Sequence, residues 1–303
     1  MRPMRAHQFF ILFLLLTVGI LSPQTHAWQG NCGTLFRDPH HLFLSDKSFP
    51  SRAQRLAHEA IHRDLVEGHV VEGKPFSANN NRNALFKIKI YNPRTGQTRD
   101  ALFKPRPYGD GFGWNRVPME WVAYKINLLL GMDYVPPVAY RSKALGNPIT
   151  INGETFSEGA VLYMVPDAHE LHTVPTREWA LDHPFGVSDK ELFLSDVRIF
   201  DFLMQNPDRH INNFLRGRHW KDGVYRPALI DQAAGLKGDA TIEFLRGNDA
   251  FKSGAVTKIR PQTLEALRAL KKRQLQSLQP HLSESEIDQI LARRDQILAY
   301  FGH

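Results

Sequence analysis

The first folded segment carries a helical pattern, and alternating patterns follow it. Residues 51–67 predict a helix with Ser51 as N-cap and an apolar stripe of Ala53, Leu56, Ala57, Ala60 and Ile61. With that stripe buried, His58 and His62 would face solvent. A polar stretch runs on through "SANNNRN". "ALFKIKIY" and "TRDALFKP" then alternate apolar and polar residues around the turn-forming "NPRTGQ", which predicts a β-hairpin. Pro118 suits the first turn of a helix that runs to about Leu130 and stops at Gly131. "DYVPPVAYR" is extended because of its prolines. "ITINGETFSEGAVLYMVP" predicts a second hairpin, with turns at Asn152-Gly153 and near Gly159.

From about Pro166 the pattern turns mainly helical. Residues 188–204 form one predicted helix, and "NPDRHINNFL" breaks it as a polar loop. "RPALIDQAAGL" predicts a short strand and a turn. Residues 261–302 hold two or three helices, the last opened by the capping box Ser283 and Glu286. The expected class is therefore α+β, with a sheet-rich N-terminal lobe over 28–165 and a helical C-terminal lobe over 166–303. A cleft between two lobes is the natural place for a site.

Composition changes little in this picture. The chain has 303 residues, 42% hydrophobic and 23% charged, which is ordinary globular usage. Its N-terminus is different: Arg2 and Arg5 precede an apolar run from Phe9 to Leu21, and a small residue, Ala27, ends the following polar segment. This is the layout of a signal peptide over residues 1–27, so the protein is expected to be exported, to a periplasm, the extracellular space or a secretory lumen. The run is short for a membrane span, and no stable span is expected after cleavage. Removing Arg2 and Arg5 takes the net charge from +7 to +5. That mild excess suits acidic or phosphate-bearing ligands, and no nucleic-acid signature accompanies it. Cys32 is the single cysteine, so no internal disulfide is available.

The most conspicuous motif is His58-Glu59-His62, an H-E-x-x-H in the first helix. On a helix it can place two imidazoles at a zinc ion with a glutamate as general base. The extended metalloprotease pattern fails, because Leu65 holds its glycine position and Gly68 its last histidine position. A zinc metalloprotease is therefore the distant alternative.

Four less conspicuous features fit phosphoryl transfer from a nucleotide. Lys104 ends a strand, where it can reach phosphates; Lys87 and Lys89 on the preceding strand compete for that role. Glu120, in the first turns of the next helix, can hold the lysine in place. Asp208 and Asn213 share the spacing of catalytic carboxylate and metal-ligating asparagine in the kinase pattern H-R-D-x-x-x-x-N, and Arg209 and His210 would shape that loop or contact phosphate. Asp231 ends an apolar strand, where a carboxylate needs a partner, and a metal ion is a good one.

The segments "ALFKP", "MEWVAYKINLLLGMDYVPPVAYR", "VPDAHEL", "FDFLMQNPDRHINNFL" and "ALIDQAAGL" resemble the atypical kinases of the secretory pathway, the Golgi casein kinase and Four-jointed group. That group lies within the wider superfamily of phosphatidylinositol 3- and 4-kinases and HipA-like kinases. The resemblance runs from about Ala84 to Leu236. It implies a bilobal, protein-kinase-like fold with ATP between the lobes. It also implies Asp208 as catalytic acid/base, Lys104 for phosphate with Glu120 as its partner, and Asn213 and Asp231 for Mg²⁺ or Mn²⁺. The backbone of Tyr163, Met164 and Val165 would face the adenine. The sequence departs from kinases in lacking a G-x-G-x-x-G loop before the lysine strand; Gly109, Gly111 and Gly113 come after it.

The expected function is an exported, ATP- and metal-dependent phosphotransferase acting on a protein or lipid hydroxyl, with a nucleotide-binding pseudokinase or an adenylyltransferase as alternatives. Export raises the question of ATP supply, which delivery into a host or an ATP-containing lumen would answer. Protein and phosphoinositide substrates both stay open. Lys237, Arg246, Lys252, Lys258 and Arg260 form a basic stretch that fits either an anionic partner or an ordinary solvated surface.

Overall fold

A computed structural model describes residues 52–76, 84–106, 116–173, 190–247 and 254–303. The signal peptide, Cys32, Ser51, the glycines at 109–113 and Lys252 lie outside the described residues, as does the side chain of Ala53.

The N-terminal half is built on one antiparallel sheet. Helix α1 (Arg52–Glu67) leads into β1 (His69–Pro75), β2 (Phe86–Asn92) and β3 (Gln97–Pro105). Helix α2 (Pro118–Leu129), β4 (Val138–Ser142), the short pair β5 (Ile149–Ile151) and β6 (Glu154–Phe156), and β7 (Glu158–Tyr163) follow. The sheet order is β1-β2-β3-β7-β4. The alternation in β2 and β3 sends Ile88, Ile90, Ala101 and Phe103 into a core with Val161 of β7, under Ile61 and Leu65 of α1. The turn between β5 and β6 places Asn152 and Gly153 at positive φ, as the Asn-Gly pair predicts.

The rest is mostly helical. It comprises β8 (His169–Glu170), α3 (Lys190–Met204), β9 (Phe214–Arg218), β10 (Tyr225–Leu229), α4 (Pro261–Ala269), α5 (Lys272–Gln276) and α6 (Glu284–Tyr300). The three short strands form a second sheet in the order β10-β9-β8. Ser283 and Glu286 close the expected capping box on α6. The α+β class is observed as the pattern predicts.

Helix α2 is buried along its whole length and belongs to the larger core, with Phe193, Val197 and Phe200 of α3 and Ile287, Ile290 and Ile297 of α6. A helix apolar on every side must sit inside a core. It therefore ties the sheet-bearing half to the helical half, and its first turn is held at the boundary between them.

Two expectations are corrected. Helix α1 buries His58, Ile61, His62 and Leu65, while Leu56 and Ala60 are exposed. The inward face is polar because it meets a polar cluster. His58 Nε2 lies 2.6 Å from Asp133 Oδ1, and His58 Nδ1 lies 3.0 Å from the Tyr124 hydroxyl. The Trp220 indole N–H reaches both His58 and Asp133, and His219 lies 3.4 Å from the other carboxylate oxygen. Both ring nitrogens of His58 are thus used in packing, and the zinc reading of this motif falls. Secondly, the polar stretch after α1 contains a strand, β1, at the sheet edge; beyond Val70 and Val71 its mostly exposed residues give no apolar alternation.

Candidate active site

Lys104 sits near the end of β3 on the face opposite the core, because its neighbour Phe103 points inward. Glu120 lies in the first turn of α2, behind Pro118, and is 1% exposed. Asp231 follows β10 in a left-handed conformation, φ 57°. These three separate elements meet at one ammonium: Lys104 Nζ lies 2.5 Å from Glu120 Oε1 and 2.8 Å from Asp231 Oδ1. Burial pulls the Lys104 ammonium down, but the two carboxylates outweigh it and hold the pKa well above the usual lysine range. Lys104 holds the Asp231 carboxyl below its ordinary value, and Arg209 and His210 add to this.

The two carboxylates differ. Glu120 is enclosed, and its second oxygen accepts the backbone N–H of Gln232 at 3.0 Å. The Asp231 side chain is 44% exposed. Three charges with one cation leave an excess negative charge whose open side is Asp231.

The loop with Asp208 and Asn213 is stitched to the same place. The Asp208 N–H donates to the Asn206 side chain at 3.1 Å, and Asn213 Nδ2 donates to the Asp208 carbonyl at 2.8 Å. The N–H of Ile230, next to Asp231, donates to the Asn213 carbonyl at 3.1 Å. Arg209 is the anchor. It is paired with Asp201 at 3.0 Å and donates to the Ile230 carbonyl at 2.9 Å and to Gln232 Oε1 at 2.7 Å. Of its two expected roles, the geometry gives Arg209 the shaping of the loop. His210, in contrast, is exposed.

Tyr163, Met164 and Val165 leave β7 on the same sheet, Tyr163 opposite Ala101, three residues before Lys104. The N–H of Tyr163 donates to Pro137 and that of Met164 to Asp100, so both are spent within the protein. Strand β9 packs directly against this segment. A Cβ at Gly217 would lie 2.6 Å from Val165 Cγ1 and 2.8 Å from the Pro166 carbonyl, so the approach requires glycine.

Sequence reasoning missed Gln232 and Asp201. Gln232 links Glu120, Arg209 and Asn206. Asp201 is buried within α3, and an acid flanked by Ile199, Phe200, Phe202 and Leu203 was the available signal. The basic stretch after Asp231 also dissolves in part: Arg260 is buried against Asp196, and Lys258 and Arg246 pair with Glu191 and Glu243.

Among the described residues, no group of three or more His, Cys, Asp and Glu is arranged to hold a metal ion. Asn213 commits its amide nitrogen to Asp208, which leaves its oxygen as the donor for a cation. An open carboxylate, an amide oxygen and a local negative excess fit a hard divalent ion, which Asp231 and Asn213 would hold.

Comparison with known proteins gives a kinase among similar solved structures. It is the Helicobacter pylori proinflammatory kinase CtkA, 15% identical, with a TM-score of 0.40, over 77% of this chain and 92% of that one. No family model and no curated protein matches the chain.

Proposed function

We propose that the chain is an ATP- and metal-dependent phosphotransferase that acts on a protein or lipid hydroxyl after export. The observation that carries this reading is the meeting of Lys104, Glu120 and Asp231 at 2.5 and 2.8 Å, beside the loop of Asp208 and Asn213. A structural ion pair needs one carboxylate. Here a second, half-exposed one is held in a backbone conformation that costs about 1–2 kcal/mol in an ordinary residue, and such strain concentrates at functional sites.

In this reading Glu120 stays on Lys104 and aims it at the phosphates, while Asp231 turns to the cation. Asn213 and Asp231 would hold Mg²⁺ or Mn²⁺, which would neutralise charge on the transferring phosphate. Asp208, on the loop fixed by Arg209, accepts the proton of the attacking hydroxyl. Arg209 ties the loop of Asp208 to the strand end that carries Asp231, since it donates to the carbonyls of Asn213 and Ile230. The Tyr163–Val165 backbone bounds the adenine end; with two N–H groups spent, the remaining polar atoms there would recognise the base.

The test is thermal shift and label transfer with Mg-ATP and Mn-ATP, with generic protein and phosphoinositide acceptors. Wild type should be stabilised by nucleotide and transfer the γ-label. Transfer of an α-label would mark adenylylation instead. Stabilisation without any transfer would mark a pseudokinase. If Asp231→Ala binds and transfers as wild type does, the site is misplaced.

A further inference from the structure

The face of the sheet that carries Lys104 holds more cations than the Lys104 cluster uses. Ile88 and Ile90 fill the core, so Lys87 and Lys89 of β2 point to the opposite face. Asp100, Leu102 and Lys104 of β3 share that face, with Lys87 opposite Leu102 and Lys89 opposite Asp100. The register continues to β1, where Glu72 lies opposite Lys89 and Lys74 lies opposite Lys87.

These cations fall into two groups. Lys89 pairs with Glu72 at 2.8 Å and lies in the field of Asp100. Lys104 is held by Glu120 and Asp231. Lys74 and Lys87 make no ion pair among the described residues, although both lie in the field of Glu72, and they are set directly across from each other. Like charges in that arrangement destabilise a strand pair. Lys87 is half-buried, so its share of that repulsion is not fully screened. Lys87 is also the diagonal neighbour of Lys104, about 7–8 Å away by strand geometry.

We infer that Lys74 and Lys87 form an anion site for the polyphosphate chain of the nucleotide, next to Lys104 on the same sheet face. Lys104 cannot supply that charge alone, because two carboxylates already neutralise it. The opposed lysines supply two positive charges one pleat away, and a bound phosphate chain would relieve their repulsion. The inference rests on the phosphotransferase reading, which makes this face the phosphate-bearing one. Charged residues at a sheet edge also prevent edge-to-edge association, and that bland role is what the test must separate.

The experiment titrates the full chain with inorganic tripolyphosphate and with Mg-ATP, in wild type and in Lys74→Met, Lys87→Met, the double variant and Lys89→Met. Each of the first two should weaken tripolyphosphate binding about tenfold, as for one lost charge-assisted contact. Their ligand-free melting temperatures should hold or rise, because a repulsion is removed; Lys89→Met frees Glu72 beside both lysines and should weaken anion binding by less than either single variant. Arginine at both positions should restore binding. Tripolyphosphate should compete with Mg-ATP. A double variant that binds tripolyphosphate like wild type, or tripolyphosphate binding that ignores Mg-ATP, overturns the inference. If wild type binds tripolyphosphate through these lysines but transfers no phosphate, the catalytic reading fails and the anion site stands.

Discussion

Two charged clusters join distant parts of this chain, and they are built differently. Around Asp196, on α3, everything is closed. Arg260 pairs with it at 2.5 Å, and the hydroxyls of Thr263 and Tyr134 donate to it at 3.0 Å. Asp196 is 0% exposed and Arg260 is 1% exposed. Around Lys104 one carboxylate is sealed and the other is open, on a left-handed backbone. The first cluster is sealed from solvent and balances one charge with one. The second has an unbalanced charge and a free edge. Burial with balanced charge marks a structural joint, and unbalanced charge at an exposed carboxylate marks a place where something binds.

The largest effect should come from breaking the closed cluster. Asp196→Ala leaves the Arg260 guanidinium buried without its partner and should cost about 3–5 kcal/mol of stability, read by chemical denaturation. The protein that remains folded should keep its activity. The open cluster should behave in the opposite way. Asp231→Asn should lower phosphate transfer by about 10²–10³-fold, the usual loss for one electrostatic stabiliser of a transition state. Its stability should fall by less than Asp196→Ala costs, because Glu120 stays on Lys104. A large stability loss in that variant would put Asp231 with the structural joints.

His58 sharpens the comparison, because its motif looks catalytic and its surroundings are closed. His58→Ala leaves Asp133 and the Trp220 N–H short of a partner and should cost about 1–3 kcal/mol. Transfer per folded molecule should be unaltered, and metal analysis of wild type should find no zinc held by this pair. A peptidase activity that disappears with His58 would reverse the assignment.

The effect that builds most gradually is a pH dependence. Burial lowers the His281 pKa to about 4, against the pull of Glu158 and with help from Arg106 and Arg116. Between about 4 and the unfolded value near 6.5 the unfolded chain binds the extra proton, so stability falls as pH falls through that window. The slope should reach about 1.4 kcal/mol per pH unit. His281→Phe should flatten it, since the ring packs against Trp121 and Tyr140 and makes no side-chain hydrogen bond among the described residues. An unchanged slope would place the titration elsewhere.

Much of the fold was legible because its signals are local. The β2–β3 hairpin announces itself by alternation and a turn, and α6 by its capping box. Helix α1 was legible as a helix but not in its buried face. Two histidines and Asp64 point inward there, toward partners such as Asp133 and Arg99 that lie far along the chain. Strand β1 was missed because an exposed edge strand does not need apolar residues. In the site, Lys104 and Asp231 are 127 residues apart, so no spacing rule could join them. Their chemistry at two strand ends singled them out before the kinase resemblance did, and the geometry brings them into contact. Gln232 and Asp201 carry no motif. They matter only through the bonds they make to Glu120 and Arg209, which exist once the chain has folded.

The most direct test is single-turnover transfer from Mg-ATP by wild type and Asp208→Asn, with nucleotide-induced thermal shift measured on the same samples. The account predicts equal shifts for both proteins and transfer about 10²–10⁴-fold slower in Asp208→Asn, the range for a lost general base. Transfer by Asp208→Asn at the wild-type rate, or a wild-type protein that neither shifts with nucleotide nor transfers phosphate, would contradict it.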